Sequence, residues 1–556
     1  MSIFKRIVSS QFADQQVARQ WKPRCQRVSS RREGALLLIV LVTVVILSLS
    51  AYTFTTLMQT EEEATRLMTL RLQTKYLADS GLDYTRMFLA NTDATIFENG
   101  GRWNNEERFR GIPVASEVDG GGRIGYFSVV NYDIDSDGLA AGSRFGLVDE
   151  SSKINLNTLV FSDALQEGVA REILMQLPEM TEEIADSILD WLDSDDEARD
   201  YGVETDFYQG LSPGYAAKNG PMDSLDELLL IPGVTPQLLF GLDTNRNGVL
   251  DPDEAASNDI SVNDSDLYLG WSAFLTLYSK ESNLTADGLP RINVNAEDLE
   301  QLYDDLKSTF NDDWANIVIL YRCASDERIA ELSLDDLGND VPTLEASRIT
   351  LDFGLLESQR KFNTILDLFN LTINVGQTTE EFAGVTTPDD VFSDTVKSPV
   401  TLINMGFTIP LMMQSLTTFE GSTIPGRVNV MQAPRRVLLA IPGIDEETVD
   451  LIIQKRGTDF ELDDPDGADL NRRYETWLMV EGLVDPETMK GLMKYVCAGG
   501  DVYRAEIVGY FPDGIGTSRA EAVIDTTVPV PRVLFWRDKS HLPAGYSIET
   551  LGVDFQ

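Results

Sequence analysis

The chain contains a single histidine, His541, and only three cysteines among its 556 residues. Catalytic triads built on histidine and zinc sites with histidine ligands therefore lack their parts. No glycine-rich phosphate loop is present either. We expect a protein that is not an enzyme and has no catalytic residues, although chemistry by carboxylates alone stays open because acidic pairs are plentiful.

Basic residues are also scarce, since 45 Lys and Arg stand against 90 Asp and Glu, for a net charge of −45. This balance speaks against a nucleic-acid surface and favours a solvated exterior or cation binding. The apolar content of 43% is far too high for a disordered chain. A chain of this length has room for two to four domains.

An uncharged run extends from Ala35 to Thr60. As a helix it would measure roughly 39 Å, more than the ~30 Å hydrocarbon core of a bilayer. Residues 1–34 carry eight basic and two acidic side chains, whereas the rest of the chain carries 37 basic and 88 acidic ones. We therefore predict a single membrane-spanning helix with the leader in the cytoplasm and the acidic bulk outside. A buried helix of a soluble protein is the alternative.

The residues before this run resemble a processing site. The sequence Arg31-Arg32-Glu33-Gly34, followed by Ala35, is similar to the leader of type IV prepilins and type II secretion pseudopilins, which a membrane peptidase cuts after the glycine. Most of these proteins carry glutamate at the fifth mature position, which here is Ile39. Among pseudopilins, the one that lacks it is the tip-capping minor component, general secretion pathway protein K. The resemblance implies cleavage between Gly34 and Ala35, and a transmembrane and extended helix over residues 35–95.

A short motif recurs three times, at spacings of 138 and 136 residues, as Lys153–Asn157, Arg291–Asn295 and Arg427–Met431. Short apolar helices and Pro-Gly turns follow it, in an arrangement that looks like helix-hairpin-helix architecture. The sequence therefore predicts three helical modules, over residues 151–290, 291–423 and 424–498.

Helix-hairpin-helix units often bind DNA, because their turns bring backbone N–H groups to a phosphate. In this chain the turn Ile441-Pro442-Gly443-Ile444 continues with Asp445, Glu446 and Glu447, whose carboxylates would repel phosphate. We expect no nucleic-acid partner, and a DNA-uptake protein is the third-ranked function.

The first module strengthens the resemblance to protein K. Residues 147–240 are similar to the helical domain that this family inserts into a pilin-like head, notably over Ile188–Asp196, Glu204–Tyr208 and Leu225–Gly233. The implied fold class is α+β: a long N-terminal helix packed on a pilin-like antiparallel sheet, with the all-helical modules inserted. The sheet would combine strands from residues 96–150 with C-terminal strands from residues 499–556, where Val502–Phe511, Ser518–Asp525 and Val533–Trp536 alternate as strands do.

The sharpest candidate site is an EF-hand-like loop over Asp243–Glu254. It has oxygen-bearing side chains at positions 1, 3, 5 and 9, glycine at position 6 and glutamate at position 12, as the calcium loop requires. The predicted calcium ligands are Asp243, Asn245, Asn247, the backbone carbonyl of Val249, Asp251 and Glu254. An Asn- and Asp-rich solvated turn is the alternative.

A second acidic cluster contains Asp193, Asp195, Asp196, Glu204 and Asp206. The resemblance suggests a second calcium site here, with Asp193, Asp195 and Asp206 as ligands. A solvated acidic loop is the alternative, because the spacing is that of no defined motif.

The cysteines separate into two groups. Cys25 would leave with the leader, so the mature chain would hold Cys323 and Cys497. An even pair in an extracytoplasmic compartment permits a disulfide, but two buried thiols are equally compatible with the sequence.

These observations predict a non-enzymatic minor pseudopilin that caps the tip of a type II secretion pseudopilus and supports protein export, with Ca²⁺ as its cofactor. The expected partners are other minor pseudopilins, the secretion machinery and the prepilin peptidase, and the expected location is the inner membrane with the bulk in the periplasm. A membrane-anchored extracytoplasmic calcium-binding scaffold or adhesin is the alternative.

Overall fold

The structure is a computed structural model that describes residues 33–114, 124–135, 140–249, 251, 254, 269–332, 343–376, 382–388, 393–456, 471–543 and 545–552. The predicted leader, residues 1–34, lies outside these ranges except for its last two residues. The chain divides into two compact units, residues 1–69 and 70–556.

A single helix, Glu33–Leu89, contains the predicted cleavage residues and the uncharged run. Its large apolar side chains from Leu36 to Met58 are exposed; Leu37, for example, is 74% exposed. The helix is long and apolar enough to cross a membrane, and lipid would remove the cost of exposing these side chains to water. It ends at Leu89 rather than at residue 95, because Thr92 caps a separate helix, Asp93–Glu98.

The second unit contains a seven-stranded sheet. The long strand Val502–Tyr510 pairs antiparallel with Gly125–Ile134 on one side and with Thr517–Asp525 on the other. The other strands are Ile112–Val114, Ala140–Phe145, Val148–Asp149 and Arg532–Asp538. Strands from both ends of the chain therefore build one sheet, and the predicted α+β class is confirmed.

Residues 70–89 of the long helix pack against this sheet, where Leu77 and Ala78 are buried. Two glycines permit a close approach. A Cβ added to Gly509 would lie 2.3 Å from the backbone oxygen of Thr74, and one added to Gly81 would lie 2.6 Å from a methyl carbon of Ile507. Any larger residue would push the helix away from the sheet.

The recurring motif forms the entry strand of each module, and this strand pairs in parallel with the strand that leaves the module. The three pairs are Ile154–Asn155 with Leu275–Thr276, Ile292–Asn293 with Leu416–Thr417, and Val428–Asn429 with Val496–Cys497. In each copy the first asparagine accepts a hydrogen bond from the backbone N–H two residues later, at 2.9 to 3.0 Å. The motif therefore recurs because each module is closed by the same local turn and ladder.

The second asparagine of the motif holds a distant segment. Asn157 accepts from the backbone N–H of Met222 and donates to its carbonyl, at 2.8 and 3.0 Å. Asn295 makes the same pair of bonds to Phe362, also at 2.8 and 3.0 Å. The third copy has Met431 at this position. The first two modules thus share a long-range clamp as well as a local motif.

The middle module is not all-helical, contrary to our expectation. It contains a three-stranded antiparallel sheet of Ile329–Glu331, Leu371–Asn374 and Thr395–Lys397, and a further strand pair of Thr350–Leu351 with Val385–Thr386. In the central strand, Leu371 and Ile373 are buried whereas Thr372 and Asn374 are not. This alternation has the period of two that suits a strand rather than a helix.

The other described elements are short. The α-helices are Glu106–Phe109, Leu159–Leu165, Val169–Leu174, Glu182–Leu192, Thr205–Gln209, Pro236–Phe240, Leu299–Thr309, Asp312–Cys323, Met405–Ser415, Arg435–Leu439, Glu446–Arg456, Trp477–Val480 and Pro486–Leu492. The 3-10 turns are Glu150–Ser152, Leu156–Thr158, Leu225–Leu230, Trp271–Ala273, Asp326–Arg328, Ala346–Arg348, Ile365–Leu368 and Asn471–Arg473. The strands Lys280–Ser282 and Thr423–Pro425, which follow the closing strands of the first and second modules, pair antiparallel.

Candidate metal centres

The EF-hand-like loop follows the helix Pro236–Phe240 and lies against the seven-stranded sheet. Arg246 and Gly248 adopt left-handed backbone conformations, with φ of +55° and +76°. A Cβ on Gly248 would lie 1.8 Å from the Cβ of Tyr132, which is on a sheet strand. Glycine at the sixth loop position is therefore required both by the turn and by the contact with the sheet.

The carboxylates at the two ends of the loop fold back onto its backbone. Asp243 accepts hydrogen bonds from the N–H groups of Asn247 and Gly248 at 3.1 and 2.6 Å. Glu254 accepts one from the N–H of Thr244 at 2.8 Å. Position 12 is thereby brought next to positions 1 and 2, which is the closure that the loop pattern predicts.

The middle ligands converge on the same place. The amides of Asn245 and Asn247 both donate to Asp251, at 2.5 and 3.3 Å, and Val249 donates its N–H to the side-chain oxygen of Asn247 at 2.7 Å. The predicted ligands that are buried are Asp243, Asn245, Asn247 and Glu254. The structure therefore brings the predicted side-chain ligands together in one closed loop.

The electrostatics of the loop suit a cation. Burial raises the pKa of Asp243 to about 6, and the negative charge of Glu254 contributes in the same direction. Carboxylate and amide oxygens are the hard donors that Ca²⁺ prefers. The residues present thus fit a divalent ion, which would balance carboxylates that have been withdrawn from water.

Arg519, on the sheet strand Thr517–Asp525, attaches the loop to the sheet. Its guanidinium donates to the backbone carbonyls of Asn245 and Arg246 at 2.8 and 2.9 Å, and to the carboxylate of Glu506 on the neighbouring strand. The side chain of Asn247 also donates to the carbonyl of Gly545 at 2.6 Å. No sequence pattern predicts this attachment, because Arg519 and the loop carbonyls that it contacts are more than 250 positions apart.

The second centre consists of Asp193, Asp195 and Glu204, whose carboxylate oxygens lie within 4.8 Å of one another. Asp193 and Glu204 are buried, whereas Asp195 is exposed. One oxygen of Asp193 and both oxygens of Glu204 are buried without a hydrogen-bond partner. Such orphaned acceptors are costly unless a cation or water meets them.

Arg199 satisfies part of this cluster. Its guanidinium donates to Asp190 at 2.8 Å and also to Asp193. Glu204 gains no such partner, so burial together with the nearby Asp190 and Asp193 raises its pKa to about 7. A cation held between Glu204, Asp193 and Asp195 would remove that repulsion.

Comparison with known families identifies this part of the chain. A family described as type II secretion system, protein K, matches residues 152–243. Residues 152–243 are similar to a protein K domain. The resemblance drawn from the sequence is confirmed for this segment, which contains the second centre and the first residue of the EF-hand-like loop.

No curated protein matches the chain. Among solved structures it is similar to a chain in the crystal structure of the GspK-GspI-GspJ complex from the enterotoxigenic Escherichia coli type 2 secretion system. The sequence identity is 12% and the TM-score 0.30, and the match covers 86% of this chain and 98% of that one. The likeness is distant.

One predicted ligand of the second centre, Asp206, lies outside the cluster that the structure forms. Asp206 is exposed in the first turn of the helix Thr205–Gln209 and is not part of the cluster, whereas Glu204, which precedes that helix, is. The helix begins at Thr205, so residues 204 and 206 project from different backbone conformations. Sequence spacing alone did not distinguish the two carboxylates.

The possible disulfide is absent, because Cys323 and Cys497 are both free and buried. Cys323 ends the helix Asp312–Cys323 of the middle module, whereas Cys497 lies in the closing strand of the third module and donates to the carbonyl of Arg427 at 3.7 Å. Burial raises the pKa of Cys323 to about 11 and that of Cys497 well above its ordinary value. Both cysteines are therefore buried free thiols, which was the alternative to a disulfide in the sequence analysis.

The acidic residues that follow the turn Ile441–Ile444 lie at the N-terminal end of a helix, as the sequence indicates. Asp445 accepts a hydrogen bond from the backbone N–H of Thr448 at 2.8 Å and so caps the helix Glu446–Arg456. A phosphate bound at this helix end would meet that carboxylate. That the hairpin does not bind nucleic acid stays a prediction, and the position of the Asp445 carboxylate favours it.

Proposed function

We propose that the chain is a minor pseudopilin that caps the tip of a type II secretion pseudopilus and supports protein export. The observation that carries the proposal is the placement of the protein K domain. It is inserted between strands of one antiparallel sheet, and the continuation of a long apolar helix packs on that sheet. An anchor, a pilin-like sheet and a protein K domain thus occur in one chain.

The capping role depends on two features. Ile39 stands at the fifth position after the proposed cleavage point, where other pseudopilins use glutamate to contact the next subunit. In addition, the three modules, from Ile154 to Cys497, are inserted in the head that this sheet forms. A head of this bulk leaves no room for a further subunit above it.

The proposed surroundings follow from the anchor and the charge. The apolar helix would hold the chain in the inner membrane, and the acidic bulk would lie in the periplasm. The prepilin peptidase would cut between Gly34 and Ala35. Other minor pseudopilins are the proposed partners, and the solved complex to which the chain is similar joins GspK with GspI and GspJ.

We propose Ca²⁺ as the ion of both centres, with a structural role. The ligands of the EF-hand-like loop would be Asp243, Asn245, Asn247, Val249, Asp251 and Glu254, and those of the second centre Asp193, Asp195 and Glu204. Extracellular calcium modules bind with dissociation constants of ~10⁻⁴ to 10⁻³ M, which suits stabilisation rather than signalling.

The test is N-terminal sequencing of the chain extracted from membranes of a host that carries its secretion genes, followed by co-purification with the other pseudopilins. We expect a mature start at Ala35 and recovery of minor pseudopilins with the tagged chain. Gly34→Leu should leave the leader attached, and Ile39→Leu, a matched change inside the apolar run, should not.

An intact Met1 together with a solitary chain would overturn the proposal. That result would favour the anchored calcium-binding scaffold or adhesin instead. A processed chain that restores secretion to a strain lacking its own protein K would support the export role directly.

A further inference from the structure

A cavity of about 690 Å³ lies where the middle and third modules meet. Its apolar lining includes Phe362, Ile365, Met413, Leu416, Ile424 and Met493. Ligand pockets in proteins commonly measure ~300 to 1,000 Å³ and combine an apolar wall with a few polar groups. The cavity therefore has the size and lining of a binding site, and it lies outside both metal centres.

The wall carries four basic side chains and three acidic ones: Arg291, Arg427, Lys490 and Lys494, and Asp367, Glu475 and Glu487. Arg427 already forms ion pairs with Glu281 and Glu475, and its guanidinium lies 2.7 Å from the Glu475 carboxylate. In contrast, Arg291 and Lys494 form no ion pair among the described residues, and the Nε of Arg291 is buried without a hydrogen-bond partner. Arg291 acts on the nearby carboxylate of Glu281 without a direct ion pair, so both cations keep donors for a ligand in a chain whose net charge is −45.

A buried donor of Arg291 without a partner indicates a group that would accept from it, because leaving such a donor unmet is costly. Planar guanidinium groups bind carboxylates through paired, charge-assisted hydrogen bonds. The apolar wall requires that the rest of the ligand be hydrophobic. The ligand class is therefore an apolar chain that carries a carboxylate.

We infer that this cavity binds an extended apolar peptide segment through its free C-terminal carboxylate, with Arg291 and Lys494 holding the carboxylate. A peptide suits the wall better than a fatty acid does, because Asn363 and Thr418 also line the cavity and offer hydrogen bonds to amide groups. A hydrocarbon tail would leave those groups unmet. The cavity would take such a peptide whether the chain caps a pilus or acts as a scaffold.

The structure provides a steric test at the cavity wall. Gly491 lies in the helix Pro486–Leu492, is exposed and lines the cavity, and a Cβ placed on it would have no atom within 4 Å. Gly491→Trp should therefore fold and obstruct the cavity, whereas Gly491→Ala adds only a methyl group and serves as the matched control. Arg71→Met, on the exposed surface of the long helix, controls for the loss of a positive charge.

The experiment measures fluorescence anisotropy of the full-length chain in detergent micelles with fluorescein-labelled apolar pentapeptides. One set has a free C-terminal carboxylate and the other is amidated. We expect binding of the free acids only. Arg291→Met and Lys494→Met should each weaken it about tenfold or more, the scale of a lost charged hydrogen bond, and Gly491→Trp should abolish it.

Wild-type affinity is expected in Gly491→Ala and Arg71→Met. Equal binding of acid and amide peptides would overturn the inference, as would unchanged binding in Gly491→Trp or the absence of binding to any peptide. Binding of dodecanoate without any peptide, measured by displacement of a fluorescent fatty acid, would show that the cavity takes a lipid and would equally overturn it.

Discussion

Replacing Arg519 by methionine should detach the EF-hand-like loop from the sheet. The side chain is 1% exposed, so solvent cannot replace what it provides. Its guanidinium donates to the loop carbonyls of Asn245 and Arg246, to the carbonyl of Pro543 at 3.0 Å, and to Glu506. Methionine fills a similar volume and supplies none of these bonds.

The expected loss of stability is about 3–5 kcal/mol, the cost of removing one partner from a buried ion pair. The three carbonyls that lose a donor would each cost ~1 to 3 kcal/mol if counted alone, but such contributions within one network do not add. Glu506 also keeps the ammonium of Lys539 at 2.6 Å, so its charge is not left alone. We therefore expect the free energy of unfolding to fall by about 3–5 kcal/mol and not by more.

The assay is urea unfolding of the chain in micelles with calcium, followed by the fluorescence of tryptophans that include the fully buried Trp271 and Trp477. Arg532→Met is the matched control: this arginine is on the same sheet, its side chain is 57% exposed, and its buried partner Asp525 keeps the ammonium of Lys280 at 2.7 Å, so its loss should cost below ~1 kcal/mol. Calcium affinity should fall in Arg519→Met alone. Equal shifts in the two variants would refute the role assigned to Arg519.

Three further predictions follow from single sites. Calorimetric calcium titration should lose one binding event in Glu254→Gln and the other in Glu204→Gln, whereas Asp206→Asn should retain both; loss of a site in Asp206→Asn would restore the ligand set read from the sequence. Gly509→Val should lower the free energy of unfolding by ~1 to 3 kcal/mol, and the urea midpoint with it, because its added carbons meet the backbone of the long helix. A midpoint equal to wild type would show that the helix can move aside. Burial raises the pKa of Asp501 from 3.8 to about 6, so the folded chain holds a proton that the unfolded chain releases, and stability should fall as pH rises from about 4 to about 6. Unfolding midpoints measured across that range should flatten in Asp501→Asn, and an unchanged slope would assign the pH dependence elsewhere.

The three modules show how far a repeated motif can be interpreted. The spacing of Lys153, Arg291 and Arg427 indicated three related units, and the closing ladders show that the motif has the same structural role in each. The content of the middle unit could not be read in the same way. Its strands are two to four residues long, and the sheet of Leu371–Asn374 forms only when partners more than 20 positions away pair with it.

The candidate sites also differ in how far apart their residues lie in the sequence. The EF-hand-like loop was predicted because all its ligands lie within twelve consecutive positions, and a single turn brings them together. The second centre was predicted only in part, since the choice between Glu204 and Asp206 depends on where a short helix begins. No sequence pattern predicts the cavity between the modules, because Arg291 and Lys494 are separated by about 200 positions and line one cavity only through module packing.

The sequence by itself determined the features that are local in the chain: the apolar helix, the strand alternation near the C-terminus, the repeated motif and the EF-hand-like loop. Each is set by hydrophobic periodicity or by ligand spacing, which act over fewer than about 30 residues. The tertiary structure alone decided the attachment of the loop through Arg519, the choice of Glu204, the separation of Cys323 from Cys497 and the charged cavity. These depend on which distant surfaces bury each other, and burial fixes the cost of every charge that has no partner there.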